Sequence, residues 1–228
     1  MASHRTATRL VGTFFLVSNV AFILGAVIFL EPILSATDPL AIMSANRAKI
    51  ILGALLELIN AFAYLGIAVL VFPILRRRYE SLALGYVAFR ILEFVMQILA
   101  DMSPLALLSL SDTLVGSASL DASSFQAAGM SLLAMREWAF QMISITFGSG
   151  ALVFYSMLYN TKLIPRFISI WGLIGAAVVL LNTLAEMFGV SLPNLGFLML
   201  LNELFLGVWL IVRGFSKPAV DALYASGE

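Results

Sequence analysis

Residues 50–72 read IILGALLELINAFAYLGIAVLVF, an apolar run closed by Pro73 and then Arg76-Arg77-Arg78. A helix needs about 20 residues to cross the hydrocarbon core of a bilayer, and this run is long enough. Glu57 and Asn60 nevertheless sit inside it. A carboxylate there costs about 2.5–3.5 kcal/mol even on mild insertion scales, so such a residue faces a partner or water. The stretch therefore reads as a membrane helix with one polar face.

The rest of the chain agrees. Of its 228 residues, 61% are hydrophobic and 11% charged, with a mean hydropathy of +1.02. Soluble domains are about a quarter charged, because their surface must face water. This chain cannot cover itself that way, and its solvent is lipid. Comparable runs occupy 10–30, 82–101, 133–155, 167–188 and 195–212. The reading is an all-α polytopic membrane protein, a six-transmembrane-helix bundle forming one membrane domain over 1–228. Arg5 and Arg9 before the first run resemble the start of a signal peptide. The run is too long for that, and Glu31-Pro32 follows directly, so a retained helix is expected. Spans two and three are expected to end at Pro73 and at Ser103-Pro104. The segment 102–130, rich in serine, is expected to lie on the membrane as an amphipathic connector, with Asp121 capping a short helix; a lid over an outer cavity is the alternative.

Charge sets the orientation. With the N-terminus inside, inner segments hold Arg5, Arg9, Arg76, Arg77, Arg78, Lys162, Arg166, Arg213 and Lys217, against Arg47, Lys49 and Arg136 outside. By the positive-inside rule both termini are cytoplasmic.

Polar residues recur at helical spacing in the other spans too. Glu57 and Asn60 are matched by Arg90, Glu93 and Gln97 in the third span and by Glu137 and Gln141 in the fourth. Asn182 lies in the fifth, and Asn202 and Glu203 in the sixth. Intervals of three, four and seven place each set on one helix face. At about 1.5 Å of rise per residue, Glu57, Glu93 and Glu203 all lie near one depth in the outer half. The inner halves are nearly pure Leu, Val, Ile, Phe and Ala. These ten residues are expected to line a polar cup that opens outward and is closed at its floor. Arg90 can pair with Glu93 on its own helix, or with Glu57 or Glu203 across helices. Carboxyls outnumber arginines, so some must be protonated, hydrated or held by a cation.

Much chemistry is excluded. There is no cysteine, and the one histidine, His4, lies in the N-terminal tail. Thiolate sites, histidine-based intramembrane zinc hydrolysis and a Ser-His-Asp triad are therefore absent. No phosphate-binding glycine fingerprint appears. No metal site and no nucleic-acid partner is expected, and no cofactor is named. Carboxylate chemistry remains. The glycines of the spans read as close-packing points.

The segments 51–58 (ILGALLEL), 83–93 (ALGYVAFRILE), 163–166 (LIPR) and 207–215 (GVWLIVRGF) resemble a bacterial multi-pass membrane family, domain of unknown function 4386. The resemblance implies a compact bundle in the bacterial inner membrane and carries no activity or site assignment. Three functions stay open: binding or transport of a small polar or cationic ligand or a lipid headgroup; an intramembrane enzyme acting on a lipid or isoprenoid, with Arg90 holding an anionic headgroup; and a structural or accessory subunit. The bilayer is the one partner the composition requires.

Overall fold

Long apolar runs without β-breaking punctuation form helix wherever their backbone groups must satisfy one another, as they must in lipid. The computed structural model describes residues 2–116, 122–193 and 195–225. Among these residues there is helix and no strand. Helix α1 (Ala2–Phe22) continues as a π-helical stretch, Ile23–Leu30, and a last turn, Glu31–Leu34. Helix α2 (Pro39–Met43) is short. Asp38 caps it by accepting from the Ala41 amide at 3.3 Å, and Pro39 takes the first position, where a missing N–H costs nothing. The segment Arg47–Gly116 is helical except at Tyr79 (φ −133°, ψ 61°). That break separates α3 (47–78) from α4 (80–116). Then come α5 (Ala122–Thr161), α6 (Arg166–Met187), α7 (Phe197–Val212) and α8 (Lys217–Ala225).

Arg5–Leu34, Pro39–Leu114, Ser123–Thr161 and Arg166–Met187 are each long and apolar enough to cross a membrane. The second contains both α3 and α4, and α7 forms with α8 a pair bent by 84°. Together α1, α3, α4, α5, α6 and α7 make an all-α, six-helix membrane bundle. Its outer faces carry exposed Val20, Leu52, Phe62, Val69, Leu84 and Ile174, which is the surface a lipid solvent requires.

Two expected helix ends do not occur. The chain is helical through both Pro73 and Pro104. A proline removes one amide and crowds one carbonyl, but here packing outweighs it. Ile74 and Leu75 are buried in the core just past Pro73, and Ser103 beside Pro104 donates to the Leu132 carbonyl at 2.6 Å, fastening α4 to α5. The break comes at Tyr79 instead, after the three arginines.

The connector 102–130 also differs from expectation. Both flanking helices run through most of it, and α5 has 40 residues. At 1.5 Å per residue that is about 60 Å, twice the ~30 Å hydrocarbon core. The α4–α5 hairpin is therefore much longer than α6 and α7, which have 22 and 16 residues. Leu30, Ile33, Leu40, Met43, Ile50 and Leu107 form a second apolar core against it. Ser111 donates to the Leu40 carbonyl at 2.6 Å, and Arg47 pairs with Asp112. The proposed cap Asp121 lies outside the described residues.

Glycines let α1 and α7 cross closely. A Cβ on Gly12 of α1 would lie 2.6 Å from the carbonyl oxygen of Gly207 on α7, and one on Gly207 would lie 3.1 Å from the Gly12 oxygen. Backbone meets backbone there, so no side chain can yield. Gly12→Ala is expected to separate α1 from α7 and to destabilise by about 1–3 kcal/mol. The check is the thermal unfolding midpoint in detergent. An unchanged midpoint would show that the crossing is looser than this.

A polar cavity between the helices

The cavity is built from the faces that α1, α3, α4, α5, α6 and α7 turn toward one another. It encloses about 790 Å³, within the range of small-molecule sites. One end reaches the α6–α7 connector at Ser191, Leu192 and Gly196. Below the other end lies an aromatic floor in which Tyr86 stacks on Phe154 at 4.8 Å and Tyr155 meets Phe154 edge-on at 5.3 Å.

Six of the ten expected residues face this cavity: Asn60, Arg90, Glu93, Gln97, Asn182 and Glu203. The other four do not line it. Glu57 is fully buried behind the wall, one hydrogen bond away through Gln97. Asn202 is also buried, but it donates to the Ile168 carbonyl at 3.0 Å and ties α7 to α6. Glu137 is exposed on α5, and Gln141 is half-buried outside the cavity wall. The reason is helical phase. Phe140, Ile143, Ser144 and Phe147 are the α5 residues that face inward, at i, i+3, i+4 and i+7. An aromatic stripe, not the polar one, holds α5 against the site.

Two charged groups emerge. In the first, Arg90 donates through Nη1 to both oxygens of Glu93, at 3.1 and 2.8 Å, and through Nε to the Tyr86 hydroxyl at 3.2 Å. The rings of Tyr64, Tyr86 and Phe147 lie 5.2–5.5 Å from its guanidinium. Arg90 thus chooses the partner on its own helix, where i,i+3 spacing brings the two side chains together. In the second, Arg136 Nη2 binds Glu57 at 2.7 Å, and its Nη1 lies 3.7 Å from Asp101 and donates to the Ala100 carbonyl at 3.0 Å. Gln97 stands between the groups. Its amide donates to Glu57 at 3.2 Å and to Asp101 at 3.0 Å.

Glu203 belongs to neither group. It accepts from the Asn19 amide at 3.4 Å, and among the described residues no cation lies within 4 Å of it. The Tyr64 hydroxyl, buried at the cavity wall, likewise has no hydrogen-bond partner among them. Asn182 reaches out of α6 to the Pro193 carbonyl at 2.9 Å and pins the connector over the mouth. Ser18 donates to Asn60 at 2.5 Å, joining α1 to α3.

The ten candidates leave out Ser18, Asn19, Tyr64 and Glu186, which line the cavity, and Asp101, which joins the Arg136 group. Asn19 was visible as the lone amide of the first span, and Asp101 as the last member of the stripe that includes Gln97. Tyr64 follows Asn60 by one turn on the face that carries Glu57, and that spacing was its signal. Among the described residues, no cluster of three acidic or histidine side chains is placed to hold a metal ion.

This arrangement defines a helical membrane protein with a polar cavity walled by aromatic rings and an excess of carboxyls. The chain matches the family described as Domain of unknown function (DUF4386) over residues 10–214, and it belongs to that family. No curated protein and no solved structure matches it.

Proposed function

We propose that the protein is a multi-pass protein of the bacterial inner membrane with both termini in the cytoplasm, and that its cavity binds a small organic cation with an apolar body. The observation that carries the ligand reading is Glu203. It faces the cavity with no cation within 4 Å among the described residues, and Arg90, the cation in electrostatic reach of it, is already bound to Glu93. An ammonium group beside Glu203 would supply the missing charge, and the cavity-lining rings of Phe22 and Phe197 suit a cation or an apolar chain. An anionic headgroup would have to compete with Glu93 for Arg90, which weighs against the lipid-enzyme reading. The orientation is supported by where the basic residues fall. Arg77 stacks on Tyr224 of α8 at 4.8 Å, and the end of α7 packs near Thr8, so the arginine-rich end and both described termini lie together, away from the cavity mouth.

The test compares thermal unfolding of the wild type and Glu203→Gln in lipid nanodiscs, with a short alkylammonium salt and with an alkylsulfate of equal chain length. The amine is expected to raise the wild-type midpoint and to leave the variant unmoved, with at least about tenfold weaker binding for a lost charge-assisted contact. Equal stabilisation by the sulfate, or an amine response that survives Glu203→Gln, would reject the reading.

A further inference from the structure

At the end of the bundle away from the cavity mouth, the α5–α6 and α7–α8 connectors enclose a groove of about 720 Å³. We propose that this groove binds the phosphate headgroup of an anionic phospholipid. Lys162, Arg166, Arg213 and Lys217 all line it, and no carboxylate does among the described residues. The four are distant in sequence and converge because the connectors are tied: the Ser216 amide donates to the Leu163 carbonyl at 2.8 Å. The backbone turns sharply on both sides of that tie, at Lys162 (φ 56°) and Gly214 (φ 75°), and this brings the basic side chains around one space. Among the described residues none of the four has a carboxylate within 4 Å, as Arg47 does. No carboxylate among the described lining residues competes with an anion for these four charges.

The positive-inside rule needs only a number of basic residues on one side. It does not require them to share a concave site. The groove also has an apolar side, with Trp209 and Phe215 in its wall and exposed Phe167 and Val212 beside it. A free phosphate has no use for such a surface, whereas the upper part of an acyl chain does. This favours a headgroup still attached to its lipid.

The experiment measures lipid retained by the detergent-purified full chain, by native mass spectrometry, with phosphatidylglycerol, phosphatidylcholine or inorganic phosphate added. Arg166→Gln/Arg213→Gln removes two groove charges. Arg76→Gln/Arg78→Gln removes two exposed charges at the same end but outside the groove. Phosphatidylglycerol is expected to be retained over phosphatidylcholine, to resist millimolar phosphate, and to be weakened about 25-fold by the groove pair, at roughly fivefold per basic residue. The outer pair should change it little. Equal loss in both pairs would reduce the effect to a general field and overturn the proposal. So would equal retention of phosphatidylcholine, or displacement by phosphate alone. Lys217→Gln, a single exposed change on α8, keeps the test readable if the groove pair does not fold.

Discussion

Arg136→Met is expected to lower the unfolding free energy by about 3–5 kcal/mol, the magnitude found when one member of a buried ion pair is removed. Arg136 is the only cation within reach of Glu57 and Asp101 among the described residues, at 2.7 and 3.7 Å. It also stacks on Phe140 at 4.7 Å and satisfies the Ala100 carbonyl. Methionine keeps much of the volume and none of the charge, so both carboxyls would be left buried without compensation. Adding Glu57→Gln should recover a large part of the loss, because Gln97 can still bond an amide oxygen at position 57. Denaturing-detergent titration of the wild type, both single variants and the double variant gives the coupling energy directly. A loss under about 1 kcal/mol, with no recovery in the double variant, would mean that water already reaches this group.

Arg90→Met should show the opposite balance between stability and binding. It removes the cation held by Glu93 and enclosed by three aromatic rings, with a stability loss again of about 3–5 kcal/mol. The cavity would then be lined by Glu93, Glu186 and Glu203 with no arginine among the described lining residues. An alkylammonium ion is therefore expected to bind about tenfold more tightly than in the wild type, one charge-assisted contact being worth that much, and to restore part of the lost midpoint. Unfolding curves with and without the amine decide this. Rescue by an alkylsulfate, or no rescue at all, would contradict a site built for cations.

The bundle was legible because its cause is general. Apolar runs long enough to span lipid must be helical, and α6 and α7 begin within two residues of where hydropathy places them. The misplaced ends have local causes. Pro73 and Pro104 look like stops in isolation, and only the buried Ile74 and the Ser103 bond show why the helix persists. The site was half legible. Depth and spacing put Arg90, Glu93, Gln97 and Glu203 in one cavity, since the first three share one face of α4 and Glu203 lies at the same depth on α7. They could not fix the rotation of α5, where Glu137 and Gln141 share a stripe that turns away and phenylalanines turn inward. Nor could they say which carboxyl Arg90 would take, because that depends on side-chain reach across helices.

The unequal heights of the helices shape the approach to the cavity. Beside the tall α4–α5 hairpin, α6 and α7 have 22 and 16 residues. The chain between them carries Phe188, 85% exposed, along with exposed Val190 and Leu192. Such side chains sit comfortably among glycerol backbones and poorly in water. The entrance is thus a doorway with one high jamb and one low, greasy sill. Molecules already partitioned among the glycerol backbones would reach the threshold by sliding along the membrane plane, and strictly water-borne solutes would meet the high wall first.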